Sequence, residues 1–495
     1  MQADGSGASF MAANACAAGR MTIVNQKDHM APDSASHLAP NLAPDLAQTV
    51  PRDPAPAEDA VGLVWDVSAQ GAAGQQPRGR AMTAGRLSIS RLMLTDFRSY
   101  EAVSLEIAPG PVILTGPNGA GKTNLLEAVS FLSPGRGLRG AKLTEIARRT
   151  PGQGMSGQGT SGRETSELAE TNATMDNPGH SNWAVAAEVE TPDGPRMLGT
   201  GRDVAGGNNG AGRERRLIKI DGEFVRGQQA LSEILSVVWL TPQMDGLFRE
   251  SASGRRRFMD RLTYGFDPEH AGRISAYEHA MRERSRLLKS GRNDATWVAS
   301  LEDTMARYGV AIAAARRAFL ERLAWSGAAA VSAFPRARLA LAGDLEAQLE
   351  SQPALAVEDE LRDRLAAGRG RDAETGGASV GPHRSDLVVH HVAKDMPAAL
   401  CSTGEQKALL ISMVLAHARL VTLDRGAPPL LLLDEVAAHL DASRRGALYN
   451  EILALGAQAW LTGTEASVFL ELADSAQFFK VRDGGVAACD TPRDA

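Results

Sequence analysis

The chain is short of cysteine, of positive charge and of long apolar runs. Its three cysteines, Cys16, Cys401 and Cys489, are scattered through 495 residues. That spacing argues against a disulfide framework or a structural zinc, and the expected setting is a reducing cytoplasm. No run approaches the roughly 18 apolar residues of a membrane-spanning helix. The N-terminus also lacks the basic-then-apolar pattern of a secretion signal. A net charge of −6 offers nucleic acid no general attraction, so any such surface has to be a local basic patch. With 43% hydrophobic and 23% charged residues the balance is that of a soluble globular protein with ample core. No internal repeat is visible.

Texture divides the chain. Residues 1–86 are rich in Ala, Gly, Pro, Ser and Asp and read as a disordered extension. The alternative is a misread start, because Met82 opens "MTAGRLSISRLMLTDFRSY" as a natural beginning would. From Leu87 onward, "LSISRLMLTDFRSY", "AVSLEIAPG", "PVILTG", "SNWAVAAEVE", "LIKIDG" and "VVWLTPQ" read as strands. "KTNLLEAVSFLS" reads as a helix with Leu125, Leu126, Val129 and Leu132 on one face. Residues 151–180 are a polar, Gly/Ser-rich insertion expected to be a flexible loop. "GRDVAGGNNGAGRERR" looks like a hairpin tip. Residues 263–375, dominated by Ala, Leu, Arg and Glu at helical spacing, predict a helical lobe. It interrupts an α/β head made of 87–262 and 376–495.

The chemistry concentrates in three motifs. "GPNGAGKT" comprises Gly116, Pro117, Asn118, Gly119, Ala120, Gly121, Lys122 and Thr123. It fits a phosphate-binding loop and lies between a strand and a helix, as that loop requires. Glycine lets backbone N–H groups close on phosphates; Lys122 would reach the β- and γ-phosphates and Thr123 would ligate Mg²⁺. An accidental Gly-rich turn is the bland alternative. In "PLLLLDEVAAHLD" four leucines predict a buried strand that delivers Asp434 to the Mg²⁺ and Glu435 to the attacking water. In "CSTGEQKALL" the Ser402 hydroxyl, the Gly404 backbone and a helix dipole form a second anion-binding surface. A plain helix N-cap explains Ser402 equally well on local grounds.

Arginine is harder to read. Arg255, Arg256 and Arg257, followed by Arg261, Arg282, Arg284, Arg286 and Lys289, form either a solvated helix face or a stripe that contacts DNA phosphates. Arg98, Arg136 and Arg139 are either surface charges or ligand contacts. His383 has no second histidine at ligand spacing and reads as structural.

The order of these motifs resembles the RecF family of bacterial ABC-type ATPases. The match is carried by "LMLTDFRSYEAVSLEIAPG", "GPNGAGKTNLLEAVSFLSPGRGLRG", "RRRFMDRL", "SVGPHRSDL", "STGEQKALL" and "LLLLDEVAAHLD". The resemblance implies an ATP-dependent homodimer in DNA repair and replication that binds single- and double-stranded DNA at gaps and junctions. Such a dimer would work with RecO and RecR to load RecA, using weak ATP hydrolysis as a switch. It implies that Ser402 and Gly404 complete the site of a second subunit, that Asp441 lies at the dimer seam, and that Gln243 and Arg98 contact nucleotide. It also implies that Arg136 and Arg139 meet DNA or the partner subunit. Thr464 stands where ABC transporters place a switch histidine. The rivals are a transporter ATPase subunit, which would need membrane partners, and an SMC-type structural ATPase, which would need sustained heptads.

Overall fold

The computed structural model describes residues 87–148, 183–203, 215–291, 294–328 and 332–490. The expectations for residues 1–86, for the 151–180 insertion and for the hairpin tip after Asp203 lie outside the described residues. β1 (Ser88–Phe97) and β2 (Tyr100–Glu106) form a hairpin, and β3 (Val112–Thr115) runs through the glycine loop into α1 (Lys122–Ser130). β4 (Ala184–Thr191), β5 (Gly194–Asp203), β6 (Arg215–Ile220) and β7 (Glu223–Phe224) follow as a meander. A short α2 (Gln229–Ile234) leads to β8 (Val237–Leu240) and then α3 (Ala252–Thr263). The middle of the chain holds α4 (His270–Ser290), α5 (Ala295–Ala328), β9 (Ala337–Ala342), α6 (Asp344–Ser351), α7 (Ala354–Ala367) and α8 (Arg369–Thr375). The remainder is β10 (Asp386–His391), β11 (Met396–Pro397), α9 (Thr403–Arg425), β12 (Leu430–Leu433), α10 (Ala442–Leu455), β13 (Ala459–Gly463), β14 (Gln477–Arg482) and β15 (Gly485–Cys489).

Two six-stranded sheets make the head. One is antiparallel, in the order β2-β1-β4-β5-β6-β7; the other runs β15-β14-β3-β13-β12-β8, parallel except at its β15 edge. Parallel strands need cover on both faces, and alternation along each strand shows how it is supplied. Leu430 and Leu432 of β12 join Val112, Leu114 and Trp460 in the core shared with the antiparallel sheet and α1. Leu431 and Leu433 join Ile113, Ala459 and Leu461 in the core shared with α9 and α10. All four leucines are buried. α9 is long and apolar enough to cross a membrane by length and composition, but most of it is buried inside this second core.

The predicted helical lobe needs one correction. β9 lies inside 263–375 and pairs with β10 along its whole length, Asp386 opposite Ala342 through His391 opposite Ala337. Its sequence, "ARLALA", uses the alphabet of a helix, and antiparallel pairing overrides that preference. The helices themselves are joined by buried charge. Arg284 of α4 is 1% exposed and donates to Glu302 of α5 at 2.9 Å, Asp372 of α8 at 2.8 Å and the Leu365 carbonyl of α7 at 2.7 Å.

The two head sheets meet at a β-bulge between Ile89 and Arg91 of β1. The Gln458 side chain, buried beside β13, accepts from Ile89 N–H at 2.9 Å and donates to the Ile89 carbonyl at 3.0 Å. The β1–β2 ladder begins only at Arg91 opposite Glu106, and this amide supplies the Ile89 backbone with partners beyond its end. Gln458→Ala should therefore leave two buried backbone groups unpaired and lower the unfolding free energy by about 2–4 kcal/mol. Equilibrium urea denaturation measures it; a loss below about 0.5 kcal/mol would show that the Ile89 backbone does not depend on Gln458.

Candidate phosphate site

The carboxyl ends of β3, β13, β12 and β8 share one edge of the parallel sheet. Register fixes this: Thr115 lies opposite Gly463, Leu433 opposite Leu461, and Leu240 opposite Leu433. Open α/β sheets bind ligands at such an edge. Gly116 to Thr123 leave β3 here. Gly116 has φ +151°, and a Cβ there would lie 2.2 Å from the Val481 carbonyl oxygen. Gly121 has φ +112°, and a Cβ there would lie 2.6 Å from the Tyr100 hydroxyl. Both positions demand glycine for conformation and for space. Pro117, Asn118 and Gly119 are exposed at the crown, with Ala120 half-buried behind them.

Lys122 turns inward. Its Nζ donates to the Gly116 carbonyl at 2.7 Å and the Pro117 carbonyl at 3.0 Å. Burial lowers its pKa, and Glu435 and Asp434 work against that shift. Asp434, 3% exposed at the end of β12, accepts from Thr123 Oγ1 at 3.0 Å and from Thr462 Oγ1 at 2.8 Å. Burial raises its pKa above the ordinary carboxylate range; the hydroxyls of Thr462 and Thr123 oppose the shift and Glu435 adds to it. Glu435 follows with φ +51°, a conformation costing a non-glycine residue about 1–3 kcal/mol. Its backbone N–H donates to Thr462 Oγ1 at 2.8 Å, which fixes that turn. One hydroxyl thus holds the Asp434 carboxylate and the Glu435 backbone. Thr462 was not legible beforehand, because a lone threonine in an apolar strand carries no motif.

The residues fit a hard divalent cation and a phosphate chain. Magnesium takes one or two protein oxygens and completes its shell with phosphate and water; Thr123 and Asp434 supply such oxygens side by side. A basic Lys122 and the first N–H groups of α1 face the same place.

Other expected residues fall differently. Arg98 forms a two-pronged pair with Glu127 of α1 (2.8 and 2.7 Å) and donates to the Glu145 carbonyl at 2.7 Å. Arg139 joins the same carboxylate at 2.8 Å and Asn124 Oδ1 at 2.6 Å. Both brace the helix behind the loop, as does the Tyr100 hydroxyl, which donates to the Gly121 carbonyl at 3.0 Å. Arg136 is exposed. The basic stretch divides: Arg257, Arg282, Arg286 and Lys289 are exposed, whereas Arg284 is buried. Arg255 is paired with Asp386 through two bonds of 2.8 and 2.7 Å, and Arg256 donates to the Ser385 carbonyl at 2.5 Å. These bonds tie α3 to β10 and to the residue before it. Arg257 alone of the three is exposed.

Gln243 is exposed in the turn Pro242–Gly246 that follows β8. Thr464 is exposed just past β13. Ser402 caps α9: its Oγ accepts from Glu405 N–H at 3.4 Å while Glu405 Oε2 accepts from Ser402 N–H at 2.9 Å. Lys394 and the Ser402 N–H hold Glu405 ionised, with a pKa of about 2. Ser402, Thr403 and Gly404 are exposed, as is Asp441, which caps α10 through a 2.9 Å bond from Arg444 N–H.

Comparison with known proteins follows the same lines. The model of the RecF/RecN/SMC N terminal domain matches residues 88–486. The chain belongs to the RecF family. It is 46% identical over 405 residues to the DNA replication and repair protein RecF of Mesorhizobium japonicum, covering 80% of this chain and 97% of that one. It is also 46% identical over 409 residues to RecF of Agrobacterium fabrum, covering 82% of this chain and all of the other. Its function is therefore that of a RecF-type DNA replication and repair protein, and the transporter and SMC rivals fall away. A solved structure of the recombination mediator RecF with ATP, in the RecFOR pathway, shares the fold with a TM-score of 0.65 at 22% identity, covering 83% of this chain.

Asp434 yields a prediction with a definite sign. Its folded pKa is raised, so the nucleotide-free protein keeps that contribution at low pH and loses it as pH rises past the carboxylate range. Asp434→Asn should raise the nucleotide-free Tm at neutral pH, flatten its pH dependence, and remove the extra Tm gained from ATP with Mg²⁺. Thermal unfolding against pH checks this, and a lower neutral Tm in the variant would contradict it.

Proposed function

We propose that this RecF-family chain is an ATP-switched clamp on DNA, closing as a homodimer around two composite nucleotide sites. The observation that supports it best is the bonded series Thr123–Asp434–Thr462–Glu435 beside a buried Lys122. Bound Mg²⁺-ATP supplies the phosphoanhydride and the cation that neutralises its charge. Lys122 exchanges the loop carbonyls for phosphate oxygens, so the charge now stored in the loop is released to the ligand. Thr123 and Asp434 hold the cation. Glu435, pinned by Thr462, polarises the attacking water, and hydrolysis is slow phosphoryl transfer that times release.

Ser402 supports the second head. Its oxygen is used as an acceptor within the cap, which leaves its O–H free to donate. Together with the exposed backbone of Thr403 and Gly404 it presents a helix N-terminus to a γ-phosphate held by a partner chain. Asp441 would sit at the same seam, and Gln243 would contact the chain's own nucleotide. The DNA is a gap or a single-/double-strand junction, with Arg257 the remaining contact candidate on α3. RecO and RecR are the proposed protein partners, RecA loading is the outcome, and the cytoplasm is the compartment.

Glu435→Gln should bind ATP like the wild type and slow hydrolysis by at least tenfold, so that the dimer accumulates on DNA. Sedimentation with and without ATP and gapped DNA reads both species. Wild-type turnover in this variant would remove Glu435 from the role.

A further inference from the structure

β9 has an open side. β10 pairs with one of its edges from Ala337 to Ala342, and among the described residues no strand lies along the other. Exposed edges are commonly guarded by lysine, proline or a bulge. Here the register runs without a break, and the one charged side chain of β9, Arg338, pairs at 3.5 Å with Asp395, between β10 and β11. A cavity of about 30 Å³ lies against Leu339, Ala340 and Leu341. Consecutive strand residues point to opposite faces, and no β10 residue lines the cavity, so it follows the open edge.

The far wall is acidic. Arg317 and Glu321 of α5 and Glu346 and Glu350 of α6 form it, three carboxylates against one guanidinium. Arg317 is already 3.7 Å from Glu321. Glu346 is 2% exposed; its Oε1 accepts from Ser385 Oγ at 2.6 Å, and its Oε2 has no hydrogen-bond partner among the described residues. Arg316 stands 3.9 Å from Glu346 Oε1, but it is held by both oxygens of Asp260. An ionised carboxylate out of water needs donors on its oxygens. The cavity has room for one or two water-sized groups, which suits an ammonium head and is too small for an aromatic ring.

We propose that the open edge of β9 takes up an extended segment of a partner protein as an added strand, and that a lysine of this segment places its ammonium group among Glu321, Glu346 and Glu350. Backbone hydrogen bonds give such a complex its affinity, and the acidic cavity gives it selectivity. The docking site shares no residue with the phosphate site.

The probe is a heptapeptide of alternating valine and threonine with a central lysine. Fluorescence anisotropy measures its binding to the full chain, and amide hydrogen exchange reports where it lands. The lysine peptide should bind and slow exchange within Ala337–Ala342. The same peptide with a central glutamate, or with N-methylated backbone amides, should bind at least tenfold more weakly. Glu350→Gln, at an exposed position of α6, should weaken the lysine peptide about threefold, and Glu346→Gln should weaken it further. If Glu346→Gln fails to fold, Glu350→Gln and the peptide series still decide. No binding of the lysine peptide, equal binding of the glutamate or N-methylated peptide, or protection outside β9 would overturn the proposal. Protection of β9 that rises with protein concentration alone would assign the edge to a second copy of the chain and overturn it too.

Discussion

The structure turns on one buried carboxylate held between two hydroxyls. Asp434 draws in Thr123, 311 residues earlier, and Thr462, 28 residues later. A carboxylate out of water is unfavourable unless its lone pairs are met. Meeting them forces the ends of β3, β12 and β13 to one edge at one height. Parallel register delivers that height, and parallel register requires cover on both faces of the sheet. The antiparallel sheet with α1 covers one face, and α9 with α10 covers the other. The site and the core are therefore a single packing solution. Raising the pKa of Asp434 is the cost of holding it ready for a cation.

Arginine has a second, less visible task. In a chain of net charge −6, basic residues would be expected at a DNA surface. Many instead bind the protein to itself: Arg284 to Glu302 and Asp372, Arg316 to Asp260, Arg255 to Asp386, and Arg98 to Glu127. For the buried pairs of Arg284 and Arg316, removing one partner leaves an uncompensated buried charge and costs about 3–5 kcal/mol. The pairs join elements distant in sequence, so the helical lobe and the head are specified by geometry as well as by apolar burial.

Much of the head was legible in the sequence because its signals are local. The glycine loop between a β-branched strand and an amphipathic helix carries its own context, and four consecutive leucines before two acids mark a buried strand ending at a polar site. What escaped reading depends on distant partners. β9 becomes a strand because β10 lies beside it, against the preference of its alanines and leucines. Thr462 matters because Asp434 arrives next to it. Arg255 is paired with Asp386 and Arg256 donates to the Ser385 carbonyl, partners some 130 residues away that no local pattern announces. The pairing of Arg98 with Glu127 on the loop helix was likewise invisible to local pattern.

The central claim is that a working nucleotide site takes its loop from one chain and Ser402 from another. Mixing Lys122→Met with Ser402→Arg chains tests it most directly. Each variant alone spoils both sites of its dimer. A mixed dimer gathers both lesions in one site and leaves the other intact. The two-headed site predicts that Ser402→Arg still binds ATP as an isolated chain, that neither variant alone turns ATP over, and that an equal mixture recovers up to about a quarter of wild-type turnover. A Ser402→Arg chain that binds no ATP by itself, or that dimerises and hydrolyses ATP normally, would contradict it.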